Sequence, residues 1–350
     1  MSNSTQISVT QAQDFITKVL VANQVPIQDA KIIGDLMVRS DLAGADGHGI
    51  FRTPSYVKRI KSGGMNLAPN IHIEREFGGT ALLNGDNGFG HLVMQKAVDI
   101  ATAKAKENGV AWVGSHHGNH SGAASVYVRM LAERGLIGIY MAVGNANHMA
   151  PWGGIDLLLS TNPIAIAIPA HQRPMVVLDM ATTVAAYGKI KLAAMNGKKL
   201  PEGWMIDQQG QPLTDPLRAN EGSLLPIGDY KGYGLALMVA LLAGTLNGGA
   251  AGNETIDFNA DFASKTNTGQ LVIALNPACF GDPQFIFEKV TQLVTDIENS
   301  RKLPGVEKIH IPGVGSAATE AKRRAEGIPI SAELRQALNK LATESGVEQI

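Results

Sequence analysis

The sequence predicts an α/β protein in which helical ends flank a central region of alternating strands and helices. Three observations carry this: helical periodicity at the start, short apolar runs punctuated by glycine and proline from about residue 110, and 45% hydrophobic residues with 39 glycines among 350. That length matches about two domains at roughly 150 residues each. Charged residues make up 17%, against a usual ~25%, which excludes a disordered chain. With 30 Lys+Arg against 31 Asp+Glu the net charge is −1. No global basic field collects nucleic acid or anionic lipid, so a small-molecule partner is expected.

The helical start is read element by element. Ser8-x-x-Gln11 is a capping box, and Ala12, Phe15, Ile16, Val19 and Leu20 line one face of a first helix. Pro26 opens a second through Ala30, Ile33, Leu36 and Met37, stopped near Gly44. Thr53-Pro54 reads as a cap and first-turn proline, opening a short helix that ends at Gly63-Gly64. The N-terminus lacks the basic start and apolar run of an export signal. The longest apolar stretch, Tyr233 to Leu246, is shorter than the ~18 residues that span a bilayer. A cytoplasmic protein without a membrane segment is expected. The single cysteine, Cys279, permits no internal disulfide and is expected to be a small buried hydrophobe.

The middle follows from its punctuated apolar runs. Val110–Val113, Ile137–Val143, Ile164–Ile168 and Met175–Leu178 are expected as strands buried on both faces, interleaved with helices at Ala123–Arg134 and Leu235–Leu246. A last strand at Leu271–Leu275 precedes a helix near Pro283–Ser300, and the tail from Ser331 is helical by pattern, so the two chain ends are expected to pack together. The dinucleotide fingerprint G-x-G-x-x-G is absent from the start of any βαβ unit. Gly313-Val-Gly315 has the right look, but only 32 residues follow Ala318, too few for a nucleotide-binding half. Gly85-Asp-Asn-Gly88-Phe-Gly90 has the wrong spacing and reads as a turn before a helix at His91. If the chain binds NAD, the fold is not Rossmann.

Two histidine loops concentrate the chemistry. His48, between Gly47 and Gly49, sits on a loop, because glycine costs ~1 kcal/mol in a helix interior. Arg52, just before the next helix, pairs a guanidinium with a helix N-terminus, a combination that suits a carboxylate beside a general base. The second loop holds His116, His117 and His120 after the first strand of the middle region. Three histidines in five residues invite a zinc reading, but Gly114, Gly118 and Gly122 argue against a helix there and no Glu in the cluster serves as a hydrolytic base. His120 becomes the second site residue. Asp179 ends a strand and either meets a ligand hydroxyl, orients a histidine or caps a helix. Lys231-Gly232 at a helix start suits an anion or phosphate, with a solvent lysine as the alternative. Asn162, between two apolar runs, serves backbone or ligand.

Together these segments resemble the type-2 malate/L-lactate dehydrogenase family, which also contains ureidoglycolate, sulfolactate and diketogulonate enzymes and piperideine-2-carboxylate reductase. The resemblance spans nearly the whole chain: Gly47-His-Gly-Ile-Phe-Arg-Thr-Pro-Ser-Tyr56, Asn119-His-Ser-Gly122, Ala150-Pro-Trp-Gly-Gly154, Ser160-Thr-Asn-Pro163, Leu178-Asp-Met-Ala-Thr-Thr183, Leu200-Pro-Glu-Gly-Trp204, Pro212-Leu-Thr-Asp-Pro216 and Tyr230-Lys-Gly-Tyr-Gly-Leu235. It implies NAD- or NADP-linked interconversion of a 2-hydroxy acid and a 2-keto acid on a non-Rossmann nucleotide-binding domain flanked by a helical domain built from both chain ends, in a homodimer with the cofactor near the subunit interface. The expected division is residues 1–118 helical and substrate-binding, 119–282 binding NAD(P), and 283–350 packing back on the N-terminal part. The resemblance implies His48 and His120 as proton donor/acceptors, Arg52 and Tyr56 as substrate contacts, and Asn145, Asn162, Asp179, Met180, Ala181, Lys231 and Gly232 as cofactor contacts, with no metal. His48 is ranked before His120 because Arg52 is its neighbour in sequence. The family usually has Ser where Gly47 stands, and Asn145 occupies a position that is acidic in the ureidoglycolate enzyme. The alternatives are a reductase of a cyclic imino acid or diketo sugar acid and, from another class, a metallohydrolase using His116, His117 and His120.

Overall fold

The computed structural model describes residues 5–195 and 197–350. After a short strand, β1 (Thr5–Ile7), Ser8 caps α1 (Val9–Ala22). Its hydroxyl accepts the Gln11 N–H, and Gln11 Oε1 accepts the Ser8 N–H in return. α2 (Ile27–Leu42) follows Pro26 and packs on α1. The start of α3 (Thr53–Lys61) differs from the expected cap. Two single 3₁₀ turns, Asp46–His48 and Ile50–Arg52, run straight into it, so Thr53 is already helical and its hydroxyl donates to Ile50 O.

The central sheet is built from β2 (His72–Phe77), β3 (Thr80–Asn84), β4 (Val110–His116), β5 (Ile137–Ala142), β6 (Ile164–Ile168), β7 (Val176–Met180) and, much later in sequence, the strand Gln270–Leu275. Between them come α4 (Gly90–Asn108) and α5 (Ala124–Glu133), and after β7 come α6 (Tyr187–Met195), the small ribbon of β8 (Met205–Asp207) and β9 (Gly222–Leu224), and α7 (Tyr230–Val239). With the late strand as β10, the order is β2-β3-β4-β10-β5-β6-β7, and β3–β4 is the parallel pair among antiparallel ones. α4 and α5 cover one face, where Ala97, Ala101, Val126 and Leu131 close on Val113, Tyr140, Ala165 and Val272. The strands expected to be buried on both faces are buried on this one. Exposure alternates along β5 and β6, because α7 and its continuation cover only part of the other side. α7 starts five residues before the expected Leu235. It leaves α geometry at a π turn, Ala240–Gly244, where the Asn247 amide donates to Ala243 O at 2.8 Å and Gln270 O at 3.2 Å.

The chain ends meet. After α8 (Pro283–Glu298), which is tied to the β6–β7 turn by Arg173–Glu298 at 3.0 Å, α9 (Val314–Glu326) lies on α2. β11 (Ile328–Ile330) pairs antiparallel with β1, and α10 (Ala332–Ser345) packs on α1. Phe15, Ile16, Leu20, Ile33 and Tyr56 share this core with Ile328, Ile330, Leu338 and Leu341. Cys279 departs from expectation: the 3₁₀ turn Pro277–Cys279 after β10 carries it to the surface, where it is exposed and free. Among the described residues, no helix is long and apolar enough to cross a membrane.

Candidate active site

The first histidine loop is shaped from beneath by Asp41, near the end of α2. Its carboxylate is 1% exposed and accepts the Ile50 N–H at 2.9 Å. Gly49 crosses this carboxylate so closely that an added Cβ would fall 1.9 Å from Oδ1, so the glycine after His48 is a packing requirement. Burial pushes Asp41 up to about 8. From α9, Arg323 reaches Asp41 O and pairs with Asp46, pinning the loop's other side. Arg52 turns its Nε to Gly47 O at 2.9 Å. Among the described residues Nη1 and Nη2 have no hydrogen bond, which leaves the outer edge of the guanidinium open.

The second loop follows β4. His120 stacks on His48 with ring centroids 5.4 Å apart and planes 12° apart. Tyr56 Oη lies 2.7 Å from His120 Nδ1, which also receives the Gly122 N–H at 3.3 Å. A backbone N–H only donates, and burial raises the Tyr56 pKa so that its hydroxyl keeps its proton. Nδ1 is therefore an acceptor, and the neutral His120 ring carries its hydrogen on Nε2. Phe258 packs on His120 at 5.7 Å, and His91, fully buried at the start of α4, sits edge-on to Tyr56 at 5.6 Å. Burial, then the Arg52 charge, lowers His48 to about 4. Burial holds His120 well below the ordinary histidine value, with Arg52, His48 and His91 adding to it, and burial lowers His91 to about 3. His48, Arg52 and His120 are crowded by protein yet each keeps an opening to solvent, the arrangement of a cleft.

Tyr56 is assigned to substrate by the resemblance; in the fold it is fully buried and its hydroxyl is turned onto His120. Asp179 accepts the Ser125 N–H at 3.0 Å, so it caps α5, which precedes it in sequence, and ties the end of β7 to the His120 loop. Desolvation raises its pKa although it keeps an exposed edge. Met180 ends β7 and Ala181 follows, both half-buried. The segment before α7 runs alongside them, with Ile227 N donating to Thr182 O and Val184 N to Leu225 O. Lys231 is exposed on the first turn of α7, beside Gly232, where an added Cβ would lie 2.1 Å from Ile227 O. Ile227, Gly228, Lys231, Gly232 and Leu235 line a surface depression of about 260 Å³.

The side-chain amides of Asn162 and Asn145 both donate within the protein. Asn162 is fully buried, accepts the Gly144 N–H and donates to Ala236 O, bracing β5 against α7. Asn145 donates to Thr268 Oγ1 at 2.8 Å, and its carbonyl receives the Phe258 N–H, so it holds the Phe258 loop. The histidines of the second loop diverge. His116 is still in β4 and meets Glu74 at 2.8 Å, while His117 turns the chain at φ +52°. Among the described residues no three His, Cys, Asp or Glu gather as a metal site. Sequence reasoning missed His91, Phe258, Arg59 and Asn119. For His91 the available signal was a histidine in the apolar start of a helix, just after a glycine-rich turn.

The profile of the malate/L-lactate dehydrogenase family matches residues 7–339. The malate dehydrogenase of Pyrococcus abyssi is 38% identical, over 99% of this chain and 96% of that protein. The L-sulfolactate dehydrogenase of Methanothermobacter thermautotrophicus is 36% identical, over 97% of each. The solved structure of malate dehydrogenase from Pyrococcus horikoshii superposes with a TM-score of 0.91 at 35% identity, covering 99% of this chain and 97% of that one. Sequence and backbone agree along almost the whole length, and the chain belongs to the malate/L-lactate dehydrogenase family.

Proposed function

We propose that the protein is an NAD(P)-dependent oxidoreductase that interconverts a small 2-hydroxy acid and its 2-keto acid, with His120 moving the proton and Arg52 holding the substrate carboxylate. The observation that carries this reading is the stacked His48–His120 pair, one ring gripped by Tyr56, beside an arginine whose outer edge is open. The sequence ranking of the histidines is reversed here because His120, not His48, has the partners that orient an acid/base ring.

Arg52 suits a carboxylate because two parallel N–H groups fit its two oxygens. His120 passes a proton through Nε2. For reduction the ring must first be protonated, and the Arg52 charge opposes that until a substrate anion offsets it. For oxidation the neutral ring must switch to the tautomer with its hydrogen on Nδ1, giving up the long Gly122 contact and donating to Tyr56 Oη, since a phenol hydroxyl both donates and accepts. His48 walls the other face of the ring.

The edge formed by β7 and the start of α7 fits a nucleotide. Exposed Lys231 tops a helix N-terminus, Gly232 leaves room for the close turn before it, and Asp179 keeps an exposed edge near Met180 and Ala181. A bound nicotinamide supplies or takes up the hydride. This reading places the nucleotide within residues 119–282, without a Rossmann fingerprint, against a helical body built from α1–α3 and residues 283–350, while residues 72–116 of the expected 1–118 unit belong to the central sheet and its covering helix α4. It includes a homodimer, supported by the apolar outer face of α8 with Phe285, Leu293 and Ile297 exposed, and a cytoplasmic setting consistent with one unpaired cysteine.

The test is NADH and NADPH oxidation by purified protein across oxaloacetate, pyruvate, longer 2-keto acids and cyclic imino acids, after exhaustive chelation. Turnover of a 2-keto acid is expected. Turnover of none, or activity that returns only with added zinc, refutes the reading.

A further inference from the structure

Arg59 is the largest fully buried side chain, 0% exposed, and among the described residues no carboxylate lies within salt-bridge distance of it. An unpaired buried cation costs several kcal/mol unless its N–H groups are satisfied. Here they are satisfied by neutral oxygens from two loops. Nε donates to Asn119 Oδ1 at 2.8 Å, Nη1 to Asp261 O at 2.7 Å and Nη2 to Ser264 O, while the guanidinium lies 4.7 Å from the Phe258 ring. The Asp261 carboxylate adds only a charge at a distance, outside hydrogen-bond contact, so the geometry of the three neutral acceptors is what the buried guanidinium fixes.

The importance of that geometry lies in what the two loops carry. Arg52, Tyr56 and Arg59 fall at i, i+4 and i+7, so one face of α3 and its N-terminus presents all three. Tyr56 grips His120 and, one turn later, Arg59 grips the preceding residue, Asn119. The Asn119 amide nitrogen is already used on Asn87 O and Gly88 O, which leaves its Oδ1 for Arg59. The second loop is drawn in from the opposite side, and its Phe258 packs on both the guanidinium and the His120 ring.

We infer that Arg59 is a positioning residue for the acid/base: through Asn119 and Phe258 it holds the His120 ring between Tyr56 and His48, in register with the carboxylate grip of Arg52 on the same helix. This rests on the reading of His120 as the proton-transferring group. Lysine keeps the charge at position 59 but cannot span three acceptors in one plane.

The test compares Arg59→Lys with wild type by steady-state kinetics, thermal melting and pH titration of nitrogen-labelled histidines, with the His120 signal assigned by its loss in His120→Gln. The groups facing that ring, Arg52, His48, His91 and Tyr56, stay in place. With the clasp cut, kcat should fall by about tenfold to a hundredfold, as for a reacting group misplaced by about 1 Å, while KM for the nucleotide stays within about twofold. The His120 titration should move up toward the ordinary histidine range as the ring gains solvent. If Arg59→Lys does not fold, Phe258→Leu removes the ring that rests on both the guanidinium and His120 while leaving the hydrogen bonds of Asn119 intact, and it is read in the same way. Wild-type kcat, or reduced kcat with an unmoved His120 titration, overturns the proposal. If the wild type turns over no 2-keto acid, it is the functional reading that fails, and the titration alone decides the clasp.

Discussion

Replacing Tyr56 by Phe removes one atom from the site and little else. The ring keeps its edge contacts with Phe89, His91 and Phe258 at 5.7, 5.6 and 6.3 Å, so its packing survives. What goes is the 2.7 Å contact to His120 Nδ1, the stronger of the two that orient the imidazole, since the Gly122 N–H is at 3.3 Å. A neutral buried hydrogen bond is worth about 1 kcal/mol and one to a charged ring about 1.5–3 kcal/mol, so if the bond is fully developed in the transition state kcat falls by roughly 5-fold to 150-fold. Stability should change by only about 1 kcal/mol, because Nδ1 keeps a donor in Gly122. The assay is keto-acid reduction at saturating nucleotide, reporting kcat, both KM values and the melting temperature of Tyr56→Phe beside wild type. Wild-type kcat in a folded variant would show that Tyr56 does not set the ring, and the assignment of His120 as proton carrier would lose its geometric support.

Further perturbations probe the rest of the site. Arg52→Lys should lose about 2 kcal/mol or more of transition-state stabilisation, because an ammonium cannot make the two-point carboxylate grip, and an unchanged kcat/KM removes Arg52 from substrate binding. Gly47→Ser should be nearly neutral for stability, since nothing lies within 4 Å of its added Cβ, whereas Gly49→Ala drives a methyl into Asp41 and should cost about 1–3 kcal/mol; equal melting temperatures would refute the contrast. Burial pushes Asp41 up to about 8 from ~3.9 in the unfolded chain, so the folded state binds its proton more tightly, and this stabilisation is full below about pH 4, declines as pH rises and is spent above about 8. Melting temperature should therefore fall between about pH 6.5 and 8 in wild type and less in Asp41→Asn, whose amide oxygen still accepts the Ile50 N–H; parallel curves would refute it. For His91 the sign is opposite: its folded pKa of about 3 lies below the unfolded ~6.5, so stability drains as pH falls from about 6.5. His91→Phe should flatten that acid limb, and an unchanged slope in calorimetry would place the acid sensitivity elsewhere.

What was legible in the sequence was local. The capping box at Ser8 and the apolar face of α1 are written within a few residues, as are the glycines that make loops of both histidine segments. The insertion of β10 between β4 and β5 joins strands more than a hundred residues apart, and no spacing announces it. The same limit runs through the site. Sequence distance put His48 first because Arg52 is near it, whereas the contact that orients the proposed acid/base, Tyr56 to His120, spans 64 residues. In Lys58-Arg59-Ile60-Lys61 the two lysines are exposed and Arg59 is buried, and nothing in the local sequence separates them. Arg59 differs because it shares the Arg52–Tyr56 face and meets carbonyls supplied from residues 261 and 264, a use that becomes visible only once those loops are in place. The general consequence is physical. A side chain's chemistry can be inferred from its neighbours in sequence only where those neighbours are also its partners, and at His120 the partners come from α3, the Phe258 loop and the first histidine loop.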